Sequence, residues 1–173
     1  MPTLRELTEY HKPATLDEAL KLLRRTRVKT VPLIQGHEVC GDIVELGSKV
    51  TERKVGDFVS CESHVVDYRG EYYQRGLGHV APETKIIGVD RDGTFAEYIA
   101  MPWQNAWVNP PDMPTQVAVL RENFGNAIHT AFATEVKDKT VLITGCGPVG
   151  LMTLLAVRGR GAKIIVCSDI SEY

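Results

Sequence analysis

The stretch "KTVLITGCGPVG", Lys139 to Gly150, decides the fold class. Its first half is a short apolar run with the β-branched residues of a buried strand, and its second half is the pattern GxGxxG at Gly145, Gly147 and Gly150. The residues that follow, "PVGLMTLLAVRGRG", are mostly apolar at helical length and end at glycine, and "AKIIVCSD" is a second buried strand. Strand, glycine turn, helix and strand in that order make one βαβ unit with a parallel pair of strands. In such a unit the first glycine makes the tight turn and the second lets a pyrophosphate approach the backbone. The third lets helix and strand pack closely, so that the phosphates face the positive helix N-terminus. Asp169 ends the second strand, 19 residues after Gly150, where a carboxylate can accept hydrogen bonds from both ribose hydroxyls. A 2′-phosphate would meet like charge there, and no arginine stands beside it in "CSDISEY", so the pattern predicts NAD rather than NADP.

Upstream of this unit the periodicity changes. From about Gly36 to Asn109 the chain carries short β-type runs, "DIVELG", "DFVSCESHVV", "TFAEYIAM" and "AWVNP", broken by glycine and proline. That punctuation predicts a small β-barrel or sandwich-like module. Within it "DYRGEYYQRGLGH" is polar and glycine-rich and reads as a long loop, with Tyr68, Tyr72 and Tyr73 packing it. Further back, Thr15 and Glu18 in "PATLDEALKLLRR" stand at capping-box spacing, and Leu16, Ala19, Leu20 and Leu23 share one helical face. A short amphipathic helix is expected from Thr15, followed by a strand-like "TVPLI".

Composition narrows the function classes. The 173 residues are 43% hydrophobic and 24% charged, and 20 basic against 22 acidic residues leave a formal charge of −2 without any block of one sign. Neither nucleic acid nor an anionic membrane is expected as a partner, which leaves a small molecule. No apolar run reaches the length of a membrane span and the N-terminus lacks a signal-peptide layout, so the expected location is the cytoplasm. Cys40, Cys61, Cys146 and Cys167 are widely separated, which predicts buried free thiols rather than a disulfide framework or a zinc ribbon.

Taken together, "GHEVCGDIVELG", "KVGDFVS", "GTFAEY", "ENFGNAIHT" and "VLITGCGPVGLM" resemble the zinc-dependent medium-chain alcohol dehydrogenases, and within them the L-threonine 3-dehydrogenase branch. The resemblance runs from Gly36 to Tyr173. It implies an α/β chain in which a GroES-like β-barrel catalytic domain, truncated at its start, is followed by the first βαβ unit of a Rossmann domain. The expected divisions are an atypical helical segment over residues 1–35, a partial catalytic domain over 36–135 and a truncated NAD-binding unit over 136–173. The implied reaction is NAD-dependent oxidation of a secondary alcohol, with an alcohol or amino acid such as L-threonine going to 2-amino-3-oxobutanoate. By this resemblance His37 and Glu38 lie at the catalytic zinc, Glu122 serves the proton relay or transient coordination, and Val149 and Asp169 contact NAD. Glu62, His64 and His129 lie near the same cleft, where a structural role is the expectation for each.

Three departures qualify what the resemblance implies. The family carries a cysteine zinc ligand ahead of the "GHE" segment, and residues 1–35 contain no cysteine. That stretch is instead similar, over about thirty residues, to the opening of the FAD-binding subunit of molybdenum hydroxylases, but it has "VPLIQG" where those proteins have a Gly-Gly nucleotide loop. Second, the family's structural-zinc positions fall on Asp67, Gly70, Tyr73 and Ala81, which cannot supply four thiolates, so that zinc is expected to be absent. Third, the sequence ends after the second strand of a domain that needs about six. The strands around "KTVLIT" and "KIIVCS" would then lack cover, which predicts a homo-oligomer or a partner chain. The competing expectation is a catalytically inactive fragment or split subunit that binds nucleotide or a partner.

Overall fold

A computed structural model describes residues 33–171. The helix expected from Thr15 and most of the "TVPLI" strand lie outside the described residues. The chain forms two compact units. Among the described residues, one holds residues 33–37 and 62–105, and the other holds 38–61 and 106–171.

The first unit is built on turns. Strands β3 (His64–Val65) and β4 (Lys85–Ile86) pair antiparallel, with His64 opposite Ile86. Between them the polar excursion contains one helical turn, α1 (Glu71–Gln74), and a 3₁₀ turn at Gly78–Val80, where the sequence predicted a loop throughout. Tyr68 and Tyr73 meet edge to face at 5.1 Å, while Tyr72 and Tyr73 keep exposed surface. At the family's structural-zinc positions, Asp67 caps a turn by accepting the Arg69 N–H at 3.0 Å and Ala81 is buried.

Asn105 organises the interior of this unit. It is fully buried, and its amide nitrogen donates to the carbonyls of Glu62 (2.7 Å) and His64 (2.9 Å) while its amide oxygen accepts from the Tyr68 hydroxyl at 2.7 Å. A buried amide is stable when its donors and acceptor are matched in this way. Alongside, Ile87 is fully buried and its N–H donates to the Ser63 carbonyl at 3.0 Å.

The run "TFAEYIAM" does not become a strand. Its first two amides and that of the preceding Gly93 bond instead to the segment before His37: the N–H groups of Gly93, Thr94 and Phe95 donate to the carbonyls of Ile34 (2.7 Å), Gly36 (3.0 Å) and Gln35 (2.9 Å). Phe95 and Tyr98 stand 78% and 74% exposed, so the alternation that suggested a half-buried strand has no buried face. The contact with residues 34–36 is backbone against backbone. A Cβ on Gly88 or on Gly93 would strike the Gly36 main chain, and Gly36 itself sits at φ +90°.

In the second unit, β2 (Phe58–Cys61) is the middle strand of an antiparallel sheet in the order β1 (Cys40–Asp42), β2, β5 (Ala106–Val108). Its register sets Cys40 opposite Ser60 and Ser60 opposite Trp107. Val59, Ser60 and Cys61 are all buried, as expected for a central strand. The strand expected over "DIVELG" is shorter and begins two residues earlier, at Cys40, although Ile43 still exchanges bonds with Asp57 and Gly56. Two helices follow, α2 (Thr115–Ala118) and α3 (Arg121–Phe132), and the Ser60 hydroxyl donates to the Ala118 carbonyl at 2.7 Å.

The βαβ unit forms as its periodicity predicts. β6 (Thr140–Thr144) and β7 (Ile164–Ser168) are parallel in a register running from Thr140–Ile164 to Thr144–Ser168, joined by α4 (Pro148–Gly159). Pro148 occupies the first turn of α4, where its missing N–H costs nothing. The core of this part is Ala131 of α3, Val136, Ile143 of β6, and Ala156 and Val157 of α4, with Val141, Leu154 and Ile165 against it. The opposite face of the strand pair leaves Leu142, Ile164 and Val166 at 63%, 50% and 47% exposure. No helix among the described residues is long and apolar enough to cross a membrane.

Candidate functional site

Three of the residues singled out from sequence come together. Glu38 lies two residues before β1, and Glu122 is the second residue of α3, so the strand–helix packing of the second unit sets where these two carboxylates stand. His37 adjoins Glu38 in the chain, one peptide bond beyond the glycine clamp at Gly36. One ligand atom from each of His37, Glu38 and Glu122 lies within 4.8 Å of the other two. Among the described residues this is the set of three His, Cys, Asp or Glu side chains so placed. His37 and Glu122 are half-buried and Glu38 is exposed. An imidazole nitrogen with two carboxylate oxygens is a donor set that zinc accepts, and it leaves coordination positions open.

Glu122 therefore has two descriptions at once. It is the acid in the first turn of a helix, which the macrodipole favours, and it belongs to the triad. Its place depends on the residue before it. The Arg121 guanidinium donates to the Asn109 side-chain oxygen at 2.6 Å and to the Val108 carbonyl at 3.2 Å, and it lies over the Trp107 ring at 5.7 Å. Sequence reasoning passed over Arg121. The available signal was a lone arginine at the head of a helix that follows an aromatic strand, a place where its fork can reach open carbonyls.

Glu62 and His64 form a pair of their own. His64 Nδ1 stands 2.8 Å from Glu62 Oε1, and the His64 N–H donates to the same oxygen at 2.9 Å. Burial works against the Glu62 charge, but the His64 ring and amide outweigh it and hold the carboxyl below its usual range. His129 lies on α3, exposed, two turns beyond Glu122.

The glycine fingerprint has the local geometry its sequence implies. Gly145 takes φ +98°, Gly147 is the residue before α4, and a Cβ at Gly150 would collide with the Gly145 carbonyl. A Cβ at Gly147 would meet nothing within 4 Å, which marks open space above that backbone. The loop is tied to the end of β7: the Gly145 N–H donates to the Ser168 carbonyl at 2.7 Å, and the Cys146 N–H to Asp169 Oδ2 at 2.5 Å. These bonds, the one from Cys146 first, hold the exposed Asp169 carboxyl below its usual range. Val149 is in the first turn of α4, 38% exposed. Desolvation and the nearby Cys167 and Asp169 push the Cys146 thiol up. Of the four free thiols expected to be buried, only Cys61 is: Cys40 and Cys146 are half-buried and Cys167 is exposed, on a strand whose outer face is open.

With this geometry in hand, comparison with known proteins places the chain. Residues 15–112 match the model for the alcohol dehydrogenase GroES-like domain, and the chain belongs to that family. Its curated relatives include an L-threonine 3-dehydrogenase from Symbiobacterium thermophilum, 48% identical over 147 residues, which are 85% of this chain and 42% of the relative. Another L-threonine 3-dehydrogenase, from Pyrococcus furiosus, is 45% identical over 86% of this chain and 42% of its own length. Among solved structures, galactitol-1-phosphate dehydrogenase from Escherichia coli aligns with a TM-score of 0.79 at 30% identity, covering 88% of this chain and 45% of that one. The chain thus spans about two fifths of the length of the curated relatives it matches.

Proposed function

We propose that the chain carries the metal-binding and adenosine-binding parts of an NAD-dependent dehydrogenase that oxidises a secondary alcohol, with L-threonine as the substrate to test first. The observation that carries this reading is the meeting of His37, Glu38 and Glu122 within 4.8 Å. Similarity to L-threonine 3-dehydrogenases at 48% and 45% identity supports the choice of substrate.

In this reading the donor set fits a catalytic zinc. His37 and Glu38 would hold it with Glu122 in reach, and the ion would supply Lewis acidity that polarises the substrate oxygen. A carboxylate of the triad that is not engaged by the ion is placed to take the alcohol proton, a task suited to Glu122 at the half-buried head of α3. The other position that the family resemblance assigned to metal, the structural-zinc lobe, is read as metal-free, because Asp67, Gly70, Tyr73 and Ala81 supply no thiolate.

The glycine cradle fits a dinucleotide. Gly145, Gly147 and Gly150 would give the pyrophosphate a backbone approach at the head of α4 with Val149 beside it, and Asp169, which accepts one N–H on each oxygen from Cys146 and Ser171, keeps a further lone pair on each for the ribose hydroxyls. NAD supplies the hydride acceptor when bound. The β6–α4–β7 unit is then the opening of a Rossmann domain, and the sheets of residues 38–109 are part of a GroES-like barrel.

A second reading has a specific observation behind it. Leu142, Ile164 and Val166 leave an apolar sheet face open, which favours a subunit that needs a homo-oligomer or a partner chain and binds nucleotide without turnover. One experiment separates the two readings. The purified chain is given L-threonine, NAD and zinc, and reduced nicotinamide is followed by absorbance. Formation of NADH that stops on chelation supports the dehydrogenase; NAD binding by calorimetry with no turnover supports the second reading.

A further inference from the structure

We infer that Arg121 is a positioning residue for the metal site: its clamp onto β5 fixes the first turn of α3 and so the place of the Glu122 carboxylate. The inference rests on the reading of His37, Glu38 and Glu122 as a metal set. Three contacts converge on this one guanidinium. Its Nη1 donates to the Asn109 side-chain oxygen at 2.6 Å and to the Val108 carbonyl at 3.2 Å, and its plane stands over the Trp107 ring at 5.7 Å. All three partners lie at the end of β5 or just after it, on consecutive residues 107–109. The Asn109 side chain is buried, so its charge-assisted bond to Arg121 is shielded from water.

The helix needs such an anchor. Leu120, the residue before α3, offers no side-chain cap, so no side chain at that position fixes the first turn. Arg121 supplies the fixed point from inside the turn, and Glu122 is the next residue along the backbone. A metal ligand must be held to within about 0.5 Å to keep its affinity, so a first turn free to fray would loosen the ion.

The far end of the same helix provides an internal control. Arg160 donates to the carbonyls of Ala131 and Thr134 at 2.7 and 2.9 Å and lies over the Phe132 ring at 4.4 Å. It is a second guanidinium-plus-aromatic clamp on α3, at the end away from Glu122. Charge alone also predicts the opposite sign. Removing a cation next to a cation site would tighten metal binding, whereas losing the positioning contact weakens it.

The test titrates the full chain with Co²⁺ and follows the visible ligand-field spectrum, comparing Arg121→Ala, Arg121→Lys and Arg160→Ala with the parent and recording thermal unfolding for each. Arg121→Ala is expected to weaken Co²⁺ binding about tenfold or more and to alter the band shape. Arg121→Lys should fall between, since an ammonium keeps the charge but lacks the planar guanidinium that stands over the Trp107 ring. Arg160→Ala should lower the unfolding temperature comparably while leaving Co²⁺ affinity within about twofold. Equal or tighter binding by Arg121→Ala overturns the inference, as does an equal loss in Arg160→Ala. A parent chain that takes up no Co²⁺ overturns the metal reading beneath it.

Discussion

The carboxylate of Asp169 accepts the main-chain N–H of Cys146 at 2.5 Å, which closes the glycine loop onto the end of β7. One side chain thus shapes the glycine loop, and under the proposed function it would also meet the ribose of a bound dinucleotide. Its carboxyl is held below the ordinary aspartate range by the Cys146 and Ser171 amides. A depressed carboxyl stabilises the folded loop above its unfolded-state value, near pH 3.9, and that contribution is lost as the pH falls through the lower folded-state value. The loop amide of Cys146 should therefore stay protected from hydrogen exchange above the unfolded-state value and lose that protection as the pH falls through the lower folded-state value. In Asp169→Asn the protection should no longer change across that range, and NAD binding should weaken about tenfold or more. Unchanged acid dependence in the variant would refute the assignment.

Gly147 and Gly150 should separate binding from folding. A methyl at Gly147 meets nothing within 4 Å, and its φ of −69° suits any residue, so Gly147→Ala should change stability by less than about 1 kcal/mol while obstructing the pyrophosphate. A methyl at Gly150 strikes the Gly145 carbonyl, so Gly150→Ala should cost about 2 kcal/mol or more by forcing helix from strand. Denaturant unfolding and NAD calorimetry on both variants check the pair. Similar losses of stability at the two positions would contradict the geometry.

Removal of one carboxylate tests the triad. Glu122→Gln keeps the shape of the side chain but offers only a neutral oxygen, and zinc retained after dialysis, measured by elemental analysis, should fall well below the parent's level. Restoring zinc in excess should recover binding without a change in secondary structure by circular dichroism. Parent-like zinc content in the variant would place the ion elsewhere.

Asn105 should be among the most sensitive positions of the first unit. Asn105→Ala removes the three bonds to the carbonyls of Glu62 and His64 and the Tyr68 hydroxyl and leaves a cavity, at a cost of about 3 kcal/mol. Tyr68→Phe removes only one of these bonds and should cost about 1 kcal/mol. Equilibrium unfolding of the two variants gives both numbers, and equal effects would rule out the hub role.

What could be read from the sequence followed from how local each signal is. The β6–α4–β7 unit was legible because strand, glycine turn and helix each announce themselves within a few residues. The turn at Gly145, the close approach of Gly150 to it and the tie from Asp169 to the loop follow from the same local pattern. His37 and Glu38 were visible as a dipeptide between glycines. Glu122 was reachable only through resemblance, since its approach to them depends on how a distant helix packs. Arg121 and Asn105 were missed because their work is done on backbone carbonyls, which no side-chain pattern advertises. "TFAEYIAM" was misread as a strand because its amides are used by residues 34–36, a pairing that alternation cannot reveal.

The contact of Gly88 and Gly93 with the Gly36 main chain bears on how this protein can drift. Where side chains touch, one change can be answered by another, and a family can wander through many compatible pairs. Where backbones touch there is nothing left to shrink, so these positions have no compensating partner and each is a dead end for substitution. The backbone that carries His37 begins one peptide bond further on. A lineage could lose the chemistry at His37 in a single step and still keep the glycines, and their persistence would then record the scaffold's memory of a site after the site itself had gone.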